Sequence, residues 1–291
     1  MGREVYFKTY MHNLVSVIIT TKNSAHTLPL LLESVKAQTY KNVEIIVVDN
    51  NSTDETQSIA KKYTTKVFNK GPERSAQRNF GAQCAKGEYL FILDSDMEAT
   101  PGVIEDSVET AQRTGLSALV VPEKTVGEGW LVRVRQFERE MYMGDMSIEV
   151  ARFFKKNVFF EFDGYDLQLT GPEDYDLPYR ISKKYKIGRA HEYLLHHEEG
   201  TTLSKLLARK YYYGSQGALY AQKHPELVGV QGNLLFRKAY LKNWLKFVQH
   251  PFLGITFLLV RLLETIWAIA GFISAVGVGG FMRTAFSSFP R

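Results

Sequence analysis

The sequence contains a single cysteine, Cys84, among its 291 residues. One thiol excludes a disulfide framework and any zinc or iron–sulfur site that is built from several cysteines. Residues 1–13 hold charged and aromatic side chains but no apolar run, so no secretory signal is expected there. Hydrophobic residues make up 45% of the chain and charged residues 23%. This composition excludes a disordered or low-complexity protein, because it can bury a core.

Several catalytic and nucleotide-binding motifs are missing as well. The apolar run 15–21 is not followed by Gly-x-Gly-x-x-Gly, which argues against a nicotinamide or flavin enzyme. The sequence has no P-loop and no Gly-x-Ser-x-Gly elbow, so a serine hydrolase would lack its nucleophile. A sugar nucleotidyltransferase is disfavoured, because residues 20–24 lack a glycine-rich signature for a triphosphate.

The charge is unevenly distributed along the chain. The net charge is +5, but residues 1–200 carry −4 and residues 201–291 carry +9. A near-neutral body that is followed by a basic region indicates an anionic partner, either a nucleic acid or an acidic membrane surface.

The C-terminal region has the pattern of a membrane-docking segment. Residues 233–250 place apolar side chains at helical spacing between basic ones, which predicts an amphipathic helix on a membrane surface. Residues 251–281 are almost wholly apolar, and 265–281 form an uncharged run of 17 residues, near the minimum for a bilayer span. Arg261 and Glu264 interrupt the apolar region and are spaced to pair on one helical face.

We therefore expect this region to meet an anionic membrane, and no nucleic-acid partner is expected. Three arrangements remain open for it. It could span the bilayer, form an in-plane or re-entrant hairpin, or pack on a soluble body as a helix followed by a buried hairpin.

The first 121 residues alternate between predicted strands and helices. Apolar and β-branched runs predict strands at 15–21, 43–49, 66–68, 88–93 and 117–121. Helical patterns fall between them at 27–38, 52–63, 73–86 and 101–114, and later at 130–142, 173–184 and 201–222. This order predicts an α/β fold with a Rossmann-like, mostly parallel central sheet that is flanked by helices. Ligands of such sheets bind beyond the carboxyl ends of the strands.

Carboxylates follow two of the predicted strands. Asp49 ends the second strand, close to Asn51, and it can accept a hydrogen bond from a base or a ribose. Asp94, Ser95 and Asp96 follow the fourth strand. Residues two apart in an extended chain point to the same side, so both carboxylates can face one point and offer hard oxygen ligands to Mg²⁺ or Mn²⁺. Helix capping is the alternative for Asp49, and a solvated turn is the alternative for the Asp-Ser-Asp sequence.

Three further groups could carry chemistry. Arg78, on the helix before the fourth strand, could bridge a diphosphate or stack on a base. Glu173 and Asp174 start a predicted helix that also holds Arg180, although acids at a helix N-terminus are favourable for dipole reasons alone. The pair His196-His197 is expected on a loop, where a neutral imidazole could complete a metal site. A purely structural histidine pair is the alternative.

Together these motifs resemble those of the family 2 glycosyltransferases of the GT-A fold. The resemblance extends over about residues 14–215. The segments that carry it are Val15–Asn23, Val43–Thr56, Arg78–Ala82, Asp94–Asp96, Glu173–Arg180 and the later histidines. We interpret residues 1–215 as the catalytic domain and residues 216–291 as amphipathic and hydrophobic membrane-associated helices.

The resemblance also implies roles for individual residues. The nucleotide sugar would be bound by residues at the strand ends and on the following helix: Thr21, Asn23, Asp49, Asn51, Arg78, Asp94 and Ser95. The metal ion, Mn²⁺ or Mg²⁺, would be bound by Asp94, Asp96 and one of His196 and His197. Asp174 would be the catalytic base. Residues near the acceptor or the leaving group would include Glu173, Arg180, Arg209 and Lys210.

The implied reaction is an inverting, metal-dependent transfer of a sugar from a nucleoside-diphosphate sugar of the UDP or GDP type. The acceptor would be a hydroxyl of a lipid-linked sugar or glycan at the membrane, with the catalytic domain in the cytoplasm. A phosphate acceptor is already anionic and needs no base, so the Glu173-Asp174 pair favours a hydroxyl. A polyprenyl-phosphate glycosyltransferase and a non-catalytic sugar- or lipid-binding scaffold are the alternatives.

Overall fold

The computed structural model of the chain describes residues 13–146, 148–231 and 237–287. These residues form two compact units. The first contains residues 13–124, 150–167 and 174–197, and the second contains the described residues of 125–149, 168–173 and 198–287. The predicted domain division after residue 215 falls inside the helix Leu203–Lys223, and that division stays a prediction.

The strands are short, apart from the first two. They are β1 (Val15–Thr21), β2 (Val43–Asp49), β3 (Val67–Asn69), β4 (Tyr89–Asp94), β5 (Met97–Ala99), β6 (Ala118–Val120), β7 (Glu123–Val126), β8 (Ala151–Lys155), β9 (Ile187–Arg189) and β10 (Leu194–His197).

The helices differ widely in length. Those of residues 13–182 are α1 (Leu28–Lys36), α2 (Thr56–Lys61), α3 (Arg74–Cys84), α4 (Val103–Thr114), α5 (Trp130–Tyr142), α6 (Lys156–Glu161) and α7 (Glu173–Ser182). The later ones are α8 (Leu203–Lys223), α9 (Pro225–Gln231), α10 (Lys238–Lys242), α11 (Trp244–Gln249) and α12 (Pro251–Ser287).

The larger sheet has the strand order β3-β2-β1-β4-β8-β6-β9. β1 pairs in parallel with β2 and β4, and β6 pairs in parallel with β9. β8 runs antiparallel to both of its neighbours, β4 and β6. The predicted fold class, an α/β fold with a mostly parallel central sheet, is thereby confirmed, and β8 is the exception that the sequence did not predict.

The core lies on both faces of this sheet. β1 is buried at every position, because its side chains alternate between two faces that are both covered by helices. Val17 and Ile19 pack in a cluster with apolar side chains of α1 and α4. Ile18 packs on the other face, in a cluster with side chains of α3, α6 and α7. The helices therefore fix the sheet from both sides, and its carboxyl edge is positioned by a rigid scaffold.

The smaller sheet has the strand order β5-β10-β7. Its central strand carries His196 and His197, which we predicted on a loop. The prediction was wrong because β10 is only four residues long, and its strand geometry comes from antiparallel pairing with β5. A second difference concerns residues 159–165, for which the sequence indicated irregular or strand-like structure. Here α6 extends to Glu161.

The second unit is built on helices. Apolar side chains of α5, α8, α10 and α12 form one hydrophobic cluster, which includes Phe137, Leu206 and Phe257. α12 contains a kink at Gly277, whose φ and ψ are 71° and 166°, so two helical segments meet there. Which of the three membrane arrangements the region adopts stays a prediction. Within the described part of the chain, residues 251–282 are the one helical segment that is long and apolar enough to cross a membrane, judged by length and composition.

The predicted amphipathic helix of residues 233–250 is not continuous. Residues 237–250 contain α10 and α11, which are separated at Asn243. The Asn243 side chain donates hydrogen bonds to the carbonyl oxygens of Met141 (3.0 Å) and Ala239 (3.1 Å), which interrupts the helix. Residues 232–236 lie outside the described residues.

Candidate active site

Three strands bring predicted site residues to one edge of the larger sheet. The register places Thr21 of β1 beside Asp49 of β2, and Thr20 of β1 beside Asp94 of β4. The strand order reverses between β1 and β4, and α/β sheets bind their ligands at such a reversal, outside the carboxyl ends of the strands. The edge formed by β2, β1 and β4 is therefore the candidate site.

Asp49 organises the loop that follows β2. Its carboxylate is fully buried and accepts hydrogen bonds from the Thr21 hydroxyl (2.8 Å), the Gln57 amide (2.8 Å) and the Ser52 backbone N–H (2.8 Å). The Ser52 hydroxyl also donates to Asp49 (2.5 Å), and α2 begins only at Thr56. A helix that starts at residue 52 was therefore a wrong prediction. Contact between Asp49 and a nucleotide stays a prediction.

The neighbouring loops are held by polar side chains. Asn23 and Asn51 have positive φ values of 50° and 52°, a conformation that asparagine adopts more readily than most residues. The Asn23 side chain accepts a hydrogen bond from the Thr53 backbone N–H (2.9 Å), and Asn51 accepts one from the Asn69 amide (2.7 Å). The Ser95 hydroxyl lies 2.7 Å from the hydroxyl of Ser24, which is in the loop after β1. The nucleotide-binding roles of Asn23, Asn51 and Ser95 stay predictions.

Arg78 joins two of the predicted site carboxylates. The side chain is fully buried on α3, and its guanidinium donates to Asp174 Oδ1 (2.6 Å) and Asp94 Oδ1 (2.9 Å). It also lies over the ring of Tyr165, 5.0 Å from the ring centre. A buried cation is tolerated when it is paired in this way. In this structure Arg78 positions the two carboxylates, and its direct contact with a nucleotide stays a prediction.

Sequence reasoning missed two charged residues of this site, Arg152 and Glu123. Arg152 Nη2 lies 3.2 Å from Asp94 Oδ2, and Arg152 Nε donates to Glu123 Oε1 (2.5 Å). Burial acts to raise the pKa of Asp94, but the charges of Arg78 and Arg152 outweigh it and hold that pKa well below its ordinary value. The available signal was Arg152 itself, a charged residue that lies between Ala151 and the two phenylalanines of the strand Ala151–Lys155.

Glu123 extends the chain of ion pairs to the histidines. His196 Nδ1 lies 3.2 Å from Glu123 Oε2, and His196 Nε2 lies 3.3 Å from Asp96 Oδ2. Burial acts to lower the pKa of His196, but the hydrogen bonds to Asp96 and Glu123 outweigh it and raise the pKa to about 9. His197 Nε2 instead lies 2.9 Å from Glu98 Oε2. The structure thus brings the His196 imidazole to the Asp96 carboxylate and the His197 imidazole to Glu98.

The residues around Asp96 fit a divalent cation that is completed by its ligand. Asp96 Oδ1 is buried and has no hydrogen-bond partner among the described residues, and His196 Nε2 lies beside the same carboxylate. No group of three or more His, Cys, Asp and Glu side chains that could hold a metal ion occurs in the part of the chain that the structure describes. One carboxylate and one imidazole suit Mn²⁺ or Mg²⁺ when phosphate oxygens and water supply the other ligands.

α7 contains a further ion pair, between Arg180 and Asp176. Arg180 donates to Asp176 Oδ2 (2.8 Å), one helical turn earlier, and to the carbonyl oxygen of Gly164 (2.6 Å). Glu173 is the first residue of α7, and its side chain is buried. Arg180 therefore ties α7 to the segment after α6, and the predicted roles of Glu173 and Arg180 at the acceptor stay predictions.

The other two predicted residues lie on α8, in the second unit. Arg209 is exposed, and Lys210 Nζ lies 3.4 Å from Glu264 Oε1. Burial lowers the pKa of Lys210 to about 8, against the raising effect of Glu264. The predicted roles of Arg209 and Lys210 at the leaving group stay predictions.

Lys210 belongs to a buried cluster of charges in the second unit. Arg261 pairs with Glu264, as the spacing predicted, and Arg261 Nη2 lies 2.6 Å from Glu138 Oε1. Arg135 pairs with Glu138, and its Nε lies 3.0 Å from Glu198 Oε2. Acids and bases thus compensate one another in a low-dielectric environment, where an unpaired charge would be strongly unfavourable.

Comparisons with known proteins identify relatives for much of the chain. Residues 16–167, just over half of the chain, match the family model for glycosyl transferase family 2. The sequence is 40% identical over 88 residues to WfaP of Escherichia coli, a UDP-Glc:alpha-D-GlcNAc-diphosphoundecaprenol beta-1,3-glucosyltransferase, covering 28% of this chain and 35% of WfaP. The matches to the first curated relatives likewise span 35% of the length of those proteins.

Two solved structures share the fold. The mannosyltransferase PcManGT of Pyrobaculum calidifontis, in complex with GDP-Man and Mn²⁺, has a TM-score of 0.56 and 16% identity, covering 98% of this chain and 86% of PcManGT. S. aureus TarS, in complex with UDP, has a TM-score of 0.55 and 18% identity, covering 96% of this chain and 93% of the TarS chain. At these identities the similarity shows the fold alone. With the family model matched over residues 16–167, the chain belongs to glycosyl transferase family 2.

Proposed function

We propose that this chain transfers a sugar, with inversion, from a nucleoside-diphosphate sugar to a hydroxyl of a lipid-linked or glycan acceptor. The observation that carries the proposal is one series of ion pairs in the first unit. In order, it joins Asp174, Arg78, Asp94, Arg152, Glu123, His196 and Asp96. It links the predicted base to the predicted metal ligands at the carboxyl edge of β4.

Asp174 is assigned to the proton transfer. The acceptor hydroxyl must lose its proton as its oxygen attacks the anomeric carbon of the sugar, and a positioned carboxylate can accept that proton. The bond between Arg78 and Asp174 Oδ1 (2.6 Å) fixes the direction of the carboxylate and leaves Oδ2 for the acceptor. We assign Arg78 and Asp94 a positioning role, because both are held inside the series of ion pairs. Their predicted contacts with the nucleotide, and that of Asp94 with the metal ion, stay predictions.

Asp96 and His196 are assigned to the divalent cation. A bound Mn²⁺ or Mg²⁺ supplies positive charge that neutralises the nucleoside diphosphate as it leaves. Asp96 contributes its unpaired buried oxygen, and Glu123 orients the His196 ring by contacting Nδ1 (3.2 Å). The donor classes UDP and GDP are supported by WfaP, which is named for UDP-Glc, and by PcManGT, whose structure is a complex with GDP-Man.

The acceptor and the location are inferred from the second unit. Apolar side chains of α10, α11 and α12 are exposed there, and basic residues lie among them. WfaP acts on a diphosphoundecaprenol-linked sugar, as its name states. We assign this chain a lipid-linked acceptor at an anionic membrane surface, with the first unit in the cytoplasm.

A donor panel tests the proposal. Purified protein is incubated with UDP- and GDP-sugars, Mn²⁺ or Mg²⁺ and a membrane lipid extract, and release of nucleoside diphosphate is measured. We expect one donor to react, with release that depends on the extract and stops on chelation. Asp96→Ala serves as the inactive control. No release from any donor would overturn the transferase proposal, whereas undiminished release after chelation would overturn metal dependence alone.

A further inference from the structure

We infer that α12 lies in the plane of one membrane leaflet and does not cross the bilayer. The inference rests on the membrane location proposed above and makes it specific. The membrane-facing surface consists of exposed apolar side chains on α10, α11 and α12. The occupant of this surface is one leaflet of an anionic bilayer, and a second copy of the chain is the competing occupant that the experiment must distinguish.

One face of α12 is exposed and apolar. Phe252, Ile255, Leu259, Leu262 and Ile266 follow one another at intervals of three and four residues, and their exposed fractions range from 45% to 86%. This spacing places all five on one side of a helix. The stripe is about 21 Å long, given a rise of 1.5 Å per residue. A continuous apolar face of this length that stays about half exposed or more marks an interaction surface.

The opposite face of α12 is fixed to protein. Phe257 is fully buried, and Arg261 and Glu264 are buried in the charge cluster with Glu138. Gly271 lies so close to α8 that an added Cβ would overlap the carbonyl oxygen of Tyr211. Arg261 and Glu264, which interrupt the apolar region, are therefore paired within the protein and do not have to enter the membrane.

The close packing of α8 excludes a span. An added Cβ at Gly214 of α8 would likewise overlap the backbone of Ala268. α8 is therefore packed directly on the middle of α12, and a membrane that surrounds this part of α12 also surrounds α8. A spanning α12 would carry α8 into the hydrocarbon core, and α8 carries Arg209 in an exposed position. Charged side chains are strongly disfavoured in that core. An in-plane α12 keeps α8 on the aqueous side.

The residues before α12 match an anionic lipid surface. Lys238 and Lys242 are exposed and lie one turn apart on α10. Leu241, between them, is 78% exposed, and Trp244 at the start of α11 is 57% exposed. Exposed lysines beside apolar side chains and a tryptophan are typical of the membrane–water interface. The charge and the apolar stripe together favour a lipid leaflet over a second copy of this basic unit, which would repel it.

The depth of Trp267 in a membrane tests the inference. Trp267 lies at the middle of the apolar segment Pro251–Met282 and is 40% exposed. In the full-length variant Trp130→Phe/Trp244→Phe it is the remaining tryptophan. Vesicles of phosphatidylcholine and phosphatidylglycerol are prepared with bromine near the headgroup end of the acyl chain or near its methyl end. An in-plane α12 predicts stronger fluorescence quenching by the shallow bromine. Stronger quenching by the deep bromine means a span and overturns the inference, while the membrane location stands.

Binding to the same vesicles tests the leaflet as occupant. Lys238→Gln/Lys242→Gln should bind anionic vesicles about 25-fold more weakly, because each lysine contributes about fivefold. The matched control is Lys61→Gln/Lys62→Gln, which removes two positive charges from the C-terminal end of α2 in the first unit. This variant should bind the vesicles as the wild type does. Self-association without flotation on vesicles would overturn both the leaflet and the membrane location. Transferase activity is measured separately, on a soluble acceptor analogue, so that a failure of the proposed function is distinguished from a failure of membrane binding.

Discussion

At the scale of single residues, the base assignment of Asp174 is the most direct point to test. Its carboxylate is held by Arg78 at 2.6 Å, so replacing it with the isosteric amide keeps the volume and removes the proton acceptor. We expect Asp174→Asn to lower sugar transfer by about 10²- to 10⁴-fold with donor binding retained. The measurement is a steady-state assay together with calorimetry of donor binding.

The control for this variant is Asp106→Asn, which changes an aspartate of α4 that pairs with His191 at 3.0 Å. It should leave transfer unchanged. Near-normal activity of Asp174→Asn would contradict the base role and favour a phosphate acceptor, which needs no base.

Glu123 and Glu98 form a matched pair that separates the two histidines. Glu123 contacts His196 at 3.2 Å, and Glu98 contacts His197 at 2.9 Å. A carboxylate that orients a metal-binding histidine typically contributes 10- to 100-fold to metal affinity. We therefore expect Glu123→Gln to weaken Mn²⁺ binding by about that factor and Glu98→Gln to leave it nearly unchanged. Electron paramagnetic resonance of free Mn²⁺ measures both, without any turnover. The opposite ranking would transfer the metal site to His197.

The sequence predicted part of this residue-scale arrangement. Asp49 and Asp94 were expected at the carboxyl edge because parallel strands bring their ends together. Arg152 was not expected, because its contact with Asp94 depends on β8 lying antiparallel beside β4, and a local pattern does not specify a strand's neighbour. Contacts of this kind depend on register between distant segments.

At the scale of elements, the packing of α8 on α12 depends on glycine. A Cβ at Gly271 would overlap the Tyr211 carbonyl oxygen, which is backbone and cannot rotate away. Gly271→Ala should therefore lower the free energy of unfolding of the second unit by about 1–3 kcal/mol, as overpacking does. Gly279→Ala, beyond the kink at Gly277, is the control, since nothing lies within 4 Å of an added Cβ there.

Thermal unfolding in detergent measures both glycine variants. Gly279→Ala should be neutral or stabilising by up to about 1 kcal/mol, because alanine favours a helix. Equal melting temperatures for the two variants would mean that α8 and α12 separate easily at Gly271, so that α12 could cross a bilayer without α8.

The predicted bounds of helices and strands agree with the structure where a hydrophobic pattern is long and regular. They disagree where contacts with distant residues determine the end of an element. β1, β2 and α5 have the predicted bounds. The predicted helix of residues 233–250 is interrupted because Asn243 bonds to the Met141 carbonyl oxygen, about one hundred residues earlier in the chain. The sequence contained the periodicity but not that partner.

At the scale of the whole molecule, stability should depend on pH through Lys210. Its pKa is about 8 in the folded chain and 10.5 in the unfolded one, because burial disfavours the charged form. Between these values the unfolded state binds more protons, so the free energy of unfolding rises with pH by about 3 kcal/mol at most. The stability gained in this way is complete above pH 10.5, and it is lost as the pH falls from 10.5 through 8. The charged groups around Lys210 are Glu264, Arg261, Arg135 and Glu138.

Urea unfolding at several pH values, compared with Lys210→Arg, checks this prediction. A guanidinium stays charged over the whole range, so the variant should lack the rise between pH 8 and 10.5. Other groups titrate in both proteins and cancel in the difference. Parallel pH profiles for the two proteins would mean that Lys210 is well solvated.

The division of the chain into two units could be predicted only in part from the sequence. The change in charge near residue 200 separates an acidic part from a basic one, and it lies close to Glu198, where the last segment of the second unit begins. The two other segments of that unit, 125–149 and 168–173, interrupt the first unit in sequence. Nothing in their composition distinguishes them, because a chain's return to a unit is decided by packing between distant residues.

The reversed strand β8 has a consequence for how the first unit can be shortened or synthesised. It fills the position between β4 and β6, yet its residues follow β4 by more than fifty positions. A fragment that ends before residue 150 would present β4 as an open edge with apolar faces, the kind of surface on which chains aggregate. During translation the same edge stays uncovered until β8 has left the ribosome. A truncation intended to isolate the early half of this fold should therefore retain residues 150–155.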